Sequence, residues 1–214
     1  MKPKAIIFDM DGTLVDNIVF HKKAWLSFLN KYTIIIKPED FNAQNHGTIH
    51  EMILRFFGNS ISEIQIKELG QEKEKTYREL YREHIKEVEG LSHLLEKLKK
   101  NRIKIGLATM GDIPNIDFIL DTLSIRSYFD CIVGGHEIIK GKPDPEIFNT
   151  IALKLNVKNK ECVVFEDSIG GVIAAKNASM KVVGITTTET SEALIKNGCF
   201  ETIAHFNEYD SSWL

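Results

Sequence analysis

The chain has 214 residues, 43% hydrophobic and 27% charged, the proportions of an ordinary soluble globular protein, so disorder and collagen-like architecture are excluded. A chain of this length buries about 70% of its surface, enough for a core without disulfide or metal staples. Lys and Arg number 27 against 30 Asp and Glu, a net charge of -3 with no basic block, which argues against a nucleic-acid partner.

Met1-Lys2-Pro3-Lys4 leads straight into the apolar run Ala5–Phe8, without the longer apolar stretch or cleavage site of a signal peptide. No apolar run approaches the roughly 20 residues of a membrane span, so no membrane partner is expected. Cys131, Cys162 and Cys199 lie far apart with no paired spacing, which suggests free thiols in a reducing cytoplasm.

After Ala5–Phe8, almost 95 residues pass without a convincing strand. This interval reads as helix. Ala24, Trp25, Phe28 and Leu29 share one face, as do Ile49, Met52, Ile53, Phe56 and Phe57. A third stripe runs through Tyr77, Leu80, Tyr81, His84, Ile85 and Val88 on a segment of mixed charge, read as a solvated helix face. So long a connection needs structure of its own, and residues 17–86 are expected to form a small all-helical cap domain inserted after the first strand. Residues 1–16 plus 87–214 then form the core.

Beyond the insert, strands and helices alternate. Leu91, Leu94, Leu95 and Leu98 predict a helix, and 103–108 a strand. Ile113, Ile116, Ile119, Leu120 and Leu123 form the next stripe, followed by strand Cys131–Val133. Ile147, Phe148, Ile151 and Leu155 form another, followed by strands at 162–165 and 182–185. These β-branched or aromatic runs lack polar alternation, the mark of strands buried on both faces. The fold class expected is α/β, a doubly wound, mainly parallel, Rossmann-like sheet.

Ligands of such sheets bind beyond the carboxyl ends of the strands. Asp9-Met10-Asp11-Gly12-Thr13 follows the first run, Thr109-Met110-Gly111 the second and Glu166-Asp167-Ser168 the fourth, while Gly141-Lys142-Pro143-Asp144-Pro145 lies in the loop after the third. Asp9, Asp11 and Asp167 would gather at one edge. Carboxylates held together repel unless a cation neutralises them, and an all-oxygen set favours Mg²⁺. A calcium loop starting at Asp9 fails, because Leu14 and Phe20 stand where its Gly and Glu belong. Thr109 gains weight from its place at a strand end, and Asp112 with Pro114 marks a helix start whose N–H groups would face the site. Lys142, with Gly141 free to bend and Pro143 and Pro145 stiffening the loop beyond it, could balance the acids or bind a phosphate. Glu166 is a supporting candidate. Asp167 could instead be a helix cap, with Ser168 the other candidate for that role.

These four segments, in this order and spanning nearly the whole chain, resemble the motifs of the haloacid dehalogenase-like superfamily, and the helical insert resembles the cap of its β-phosphoglucomutase-like branch. The resemblance implies a magnesium-dependent phosphatase. Asp9 would attack phosphorus, and Asp11 would protonate the leaving oxygen and then activate water. Asp9, Asp167 and the backbone carbonyl of Asp11 would hold Mg²⁺. Thr109, the Met110 N–H and Lys142 would bind the phosphoryl oxygens. His21, His46 and Gly47 of the cap are the expected substrate contacts, though the histidines read equally as ordinary surface residues. The branch also contains phosphomutases, which resemble one another in a cap Lys-Gly followed by Arg and in a Ser-Lys-Asn stretch of the second motif. Here the cap reads His46-Gly47-Thr48-Ile49-His50 and the second motif Thr109-Met110-Gly111-Asp112. A phosphatase for a small phosphorylated metabolite, with a sugar phosphate favoured, is therefore preferred over a mutase. A signalling receiver domain, which gathers similar residues, would have neither the insert nor Asp11. A monomer is expected, because no exposed apolar stripe asks for a partner.

Overall fold

The computed structural model describes residues 2–44 and 47–210, and within them the chain divides into two compact units, 1–16 with 86–214 and 17–85. Lys86 falls in the first unit, one residue from the boundary read in the sequence.

The first unit is built on six parallel strands: β1 (Ala5–Phe8), β2 (Lys104–Ala108), β3 (Cys131–Val133), β4 (Cys162–Glu166), β5 (Lys181–Ile185) and β6 (Glu201–Ile203). Their order is β3-β2-β1-β4-β5-β6. The chain thus winds outward from β1 to β3 and then crosses to β4 on the other side, so the winding reverses between β1 and β4. Every residue of β1 and β4 is buried, which is why neither alternates in polarity.

Helices α7 (Glu146–Leu155) and α8 (Ile169–Asn177) pack with Ile7, Val164 and Val182 in one core cluster. A second, aromatic cluster stacks Phe8 on Phe165 at 5.1 Å, with Phe206 edge-on to both. Strand β6 escapes the sequence reading because Glu201 and Thr202 leave no apolar run. It is completed by pairing Val183, Gly184 and Ile185 with 201–203. Cys131, Cys162 and Cys199 are free thiols, and burial pushes Cys162 up to about 11 and Cys199 to about 12, far from reactive thiolates.

The second unit contains α1 (Ile18–Lys31), α2 (Pro38–Gln44), α3 (Ile49–Phe57) and α4 (Glu63–Tyr81). Trp25, Phe28, Leu29, Phe41, Met52, Ile53 and Ile66 form its core. Thr48 and Ser62 each start a helix with a reciprocal capping box, to Glu51 and Gln65.

The third stripe read in the sequence is only partly helical. α4 ends at Tyr81, followed by a single tight turn over 82–84, and Leu80 is 41% exposed. Val88 instead donates its N–H to the Leu14 carbonyl, and Glu87 pairs with Val15. Those backbone bonds draw the chain out of the helix. Nor is the charged face of α4 wholly solvated: Lys73 is 1% exposed and Glu74 9%. Lys73 Nζ reaches Glu74 Oε1 at 2.8 Å and His21 Nδ1 at 3.0 Å, and lies over the Trp25 ring.

Among the described residues, no helix is long and apolar enough to cross a membrane.

Candidate active site

The residues singled out in the core motifs converge on the carboxyl edge of the sheet, where β1 and β4 part. Phe8 pairs with Phe165 and with Leu107, so Asp9 leaves β1 one residue before Asp167 clears β4, and beside Ala108, the last residue of β2, which Thr109 follows. Asp9 is 6% exposed, Glu166 0% and Asp167 2%.

Lys142 arrives on the loop before α7. Its Nζ donates to Asp9 Oδ1 at 2.5 Å and also to Glu166 Oε1. The other oxygen of Glu166 accepts from the N–H groups of Asp167 and Ser168 and from the Ser168 hydroxyl, each at 3.0 Å. Glu166 thus fixes both the lysine and the start of α8. Ser168, not Asp167, is the helix cap, accepting from Gly171 N–H. That leaves Asp167 for other work.

The turn after β1 is shaped around Asp167. Thr13 donates its hydroxyl to Asp167 Oδ1 at 3.2 Å. Gly12 has φ +82, and a Cβ there would lie 2.1 Å from Asp167 Oδ2. Gly12→Ala therefore combines a positive-φ penalty of about 1 kcal/mol with displacement of a buried carboxylate. We expect thermal unfolding at least about 5 °C lower, read by calorimetry. An unchanged midpoint would mean that the close approach is not real.

Thr109 is buried, its Oγ accepting from Gly111 N–H at 2.9 Å. A Cβ on Gly111 would come within 2.9 Å of Met10 Cε, so the Thr109-Met110-Gly111 loop packs on the loop of Asp9 and Asp11. Asp112 caps α6 (Ile113–Thr122), accepting from Asn115 N–H, and Pro114 lies in its first turn, as the residue types predicted.

Gly141 is not among the described glycines with positive φ. The Lys142 loop is held instead by Glu146, whose carboxylate accepts from the N–H groups of Ile139 and Lys140 at 3.0 and 2.8 Å.

Asp9, Glu166 and Asp167 thus lie within the field of one lysine, and Asp11 acts on Asp9. Burial pushes Asp9 well above the usual carboxylate range against the pull of Lys142, and Glu166, Asp167 and Asp11 add to the rise. Burial and Glu166 lift Asp167 to about 8, opposed by Thr188, Lys142 and Thr13. Burial alone would lower Lys142, but Asp9 and Glu166 more than reverse this and keep it charged. The site is short of positive charge.

Asp167 Oδ2 is buried with no hydrogen-bond partner. An orphaned carboxylate oxygen in an acid-rich site fits a hard divalent cation. The described residues contain no group of three or more His, Cys, Asp or Glu side chains arranged as metal ligands. Two carboxylates completed by backbone and water oxygens would suit such an ion, the habit of Mg²⁺.

The helical-unit candidates divide differently. His21 stacks on Tyr77 at 3.7 Å beside Lys73. Gly47 has φ +92 and precedes the Thr48 cap. His46 lies outside the described residues.

Three contributors escaped the sequence reading. Thr187 donates its hydroxyl to the Gly12 carbonyl, Thr188 acts on Asp167, and Glu146 pins the Lys142 loop. The two threonines come after β5, so the rule that found the other motifs would have found them at the fifth strand.

A fold that winds outward from a central strand, with an acid-and-lysine cluster at its switch point, is the architecture in which α/β enzymes bind their ligands. Residues 6–185 match the family model described as haloacid dehalogenase-like hydrolase. The chain belongs to that family, in its β-phosphoglucomutase-like branch, and is an enzyme of the phosphoric monoester hydrolase type.

It is 35% identical over 190 residues to the β-phosphoglucomutase of Bacillus subtilis, covering 85% of this chain and 83% of that one. It is 33% identical over 204 residues to a phosphorylated carbohydrates phosphatase of Thermotoga maritima, covering 91% of each. A crystal structure of a HAD hydrolase, family IA, variant 3, from Entamoeba histolytica superposes with a TM-score of 0.89 at 30% identity, covering 99% of this chain and 96% of that one.

Proposed function

We propose that this hydrolase is a magnesium-dependent phosphatase of small phosphorylated metabolites, a sugar phosphate being the favoured class, working through an aspartyl-phosphate. The observation that carries the reading is Asp9 held by Lys142 at 2.5 Å beside the orphaned oxygen of Asp167.

Asp9 and Asp167, with the backbone carbonyl of Asp11, would hold Mg²⁺. When bound, the ion supplies the positive charge that keeps the carboxylates ionised and offsets charge on a phosphoryl group. Asp9, thus ionised, attacks phosphorus and takes the phosphoryl group, while Asp11 passes a proton to the departing oxygen. The same Asp11 carboxylate then withdraws a proton from the water that splits the acyl phosphate, releasing phosphate and restoring Asp9. Lys142, Thr109 and the Met110 N–H stabilise the phosphoryl oxygens in both steps. Glu166 keeps Lys142 aimed. His21, His46 and Gly47 of the helical unit are proposed to choose the substrate.

Phosphatase is favoured over mutase because a mutase must grip a second phosphate. In the second motif Asp112 presents a carboxylate to its helix instead of a cation. In the helical unit His50, standing where mutases of the branch resemble one another in Arg, lies 3.1 Å from Glu63 Oε2 and is committed to that acid. The mutase reading rests on the likeness to the Bacillus subtilis enzyme.

The deciding experiment is phosphate release from a panel of sugar phosphates, with Mg²⁺ and with chelator. It includes β-glucose 1-phosphate with a trace of the bisphosphate, assayed for the 6-phosphate. Magnesium-dependent phosphate release supports the proposal; isomerisation without net release overturns it in favour of a mutase.

The carboxylates predict a pH-dependent metal effect. Asp167 titrates near 8 when folded and near 3.8 when unfolded. Its contribution to stability is therefore fully present below the unfolded value and lost as pH rises towards 8. Metal binding needs the ionised form, so Mg²⁺ stabilises more at pH 8.5 than at pH 5.5. At ~100-fold excess over its dissociation constant it adds about 2.7 kcal/mol, or roughly 5–10 °C in Tm. A Tm increment that falls with pH would count against these ligands.

A further inference from the structure

Opposite the candidate site, at the amino edge of the same sheet, lies an open cavity of about 630 Å³. Lys2, Lys4, Arg102 and Lys104 line it, and no acidic residue does. Its apolar lining is Pro3, Ile103, Leu155 and Val157; Ile103 and Leu155 are each only 6% exposed, so Pro3 and Val157 offer most of the open apolar surface. In a chain of net charge -3, four cations around one concavity run against the average field. The nearest counter-charges are outside the lining: Glu161 binds Lys4 at 2.8 Å, and Asp130 lies within the field of Lys104.

The backbone builds this arrangement. Lys4 and Lys104 are side by side, because Ala5 pairs with Lys104 and Lys104 N–H donates to the Lys4 carbonyl. Arg102 follows α5 (Leu91–Lys100) at φ +57, with Ile103 N–H closing back on the Leu98 carbonyl. Glycine costs least at that left-handed position, yet the chain carries an arginine there. Cations near helix C-termini also complement helix dipoles, but that role is worth at most about 1 kcal/mol at an exposed end and needs one charge per terminus, not four about a cavity.

A cavity of this size suits a small organic ligand, since such sites typically span about 300–1,000 Å³. A cationic lining calls for a polyanion, and apolar surface beside it calls for a hydrophobic group on the same molecule. We propose that this cavity is a second ligand site, separate from the phosphoryl-transfer site, for a nucleoside polyphosphate. The phosphates are held by Lys2, Lys4, Arg102 and Lys104, and the base rests on Pro3 and Val157. β1 and β2 begin at this cavity and end at Asp9 and Thr109, so the two sites occupy opposite edges of one sheet.

The test is equilibrium dialysis of ATP against the intact protein in chelator, where metal-dependent turnover is silent. One saturable site is expected. Arg102→Gly weakens it by about tenfold or more, the loss of one charge-assisted contact. It leaves phosphatase activity unchanged, and it does not lower Tm because glycine relaxes the positive φ. Lys104→Ser weakens binding to a similar degree, and Lys142→Ala leaves it intact. Inorganic tripolyphosphate competes several-fold less well than ATP. The proposal is overturned by absence of saturable binding, by an affinity indifferent to Arg102→Gly and Lys104→Ser, or by loss of binding in Lys142→Ala, which would place ATP at the phosphoryl-transfer site. Equal competition by tripolyphosphate would remove the nucleoside from the assignment.

Discussion

Asp9→Asn loses phosphate release by at least about four orders of magnitude, the scale on which enzymes lose turnover with their nucleophile. The amide keeps the size of the carboxylate but cannot accept a phosphoryl group. Its second consequence runs the other way. Asp9 is raised by burial and by three neighbouring carboxylates, so its ionised form is disfavoured in the folded protein. A group whose folded pKa lies above its unfolded one contributes stability that is lost as pH rises between the two values. At neutral pH and without metal, asparagine removes that strain, while Glu166 still pairs Lys142. The inactive variant should therefore unfold at a temperature no lower than the parent in chelator, by calorimetry at pH 7, and gain less from Mg²⁺. Stability and activity are opposed at one side chain. Activity within tenfold of the parent would sink the nucleophile assignment.

Gly171→Ala and Gly170→Ala, neighbours in the first turn of α8, have opposite expected signs. Helix propensity alone favours alanine by about 1 kcal/mol at either position. At Gly170 a Cβ meets nothing within 4 Å, so the variant gains most of that amount. At Gly171 a Cβ would lie 1.8 Å from Glu166 Oε1, on a fully buried carboxylate committed to Lys142, Asp167 N–H and Ser168. The carboxylate must move, and breaking a buried charge network costs about 3–5 kcal/mol. The clash outweighs the propensity. Gly171→Ala should lose about 2–4 kcal/mol, or roughly 5–15 °C in Tm, against a slight rise for Gly170→Ala. Its kcat should fall by about 100-fold, because Lys142 loses the partner that aims it at Asp9. Glu166→Asp, shorter by one methylene, should recover part of the loss when added to Gly171→Ala. Equal effects at the two glycines would mean that Glu166 does not hold Lys142.

The glycine pair also marks how far local pattern reaches. Both residues stand side by side in the first turn of α8, and nothing in the sequence around them distinguishes one from the other. Only the return of Glu166 from the end of β4 separates a glycine that can change from one that cannot. The acids and Thr109 were legible for the converse reason. A strand buried on both faces leaves an uninterrupted apolar run, so the polar residues just after it mark the carboxyl edge of the sheet without knowledge of strand order. Asp9, Thr109 and Asp167 were placed by that rule.

Contacts made across the chain were beyond it. Strand β6 has three residues, two of them polar, and exists because β5 offers it an edge. Lys73 reads as one more solvated charge on α4 until Trp25, His21 and Glu74 close around it. The third helical stripe stops at Tyr81 because Leu14 and Val15, more than sixty residues earlier, take up the backbone groups of Glu87 and Val88. Periodicity reports which face of an element is buried, and strand-end chemistry reports which edge carries the site. Both are properties of neighbours in the chain. Which carboxylate keeps an unsatisfied oxygen, which glycine is irreplaceable and which four cations share a cavity depend on groups that meet only after folding. Burial and electrostatic fields act through space, and the order of residues along the chain does not contain those distances.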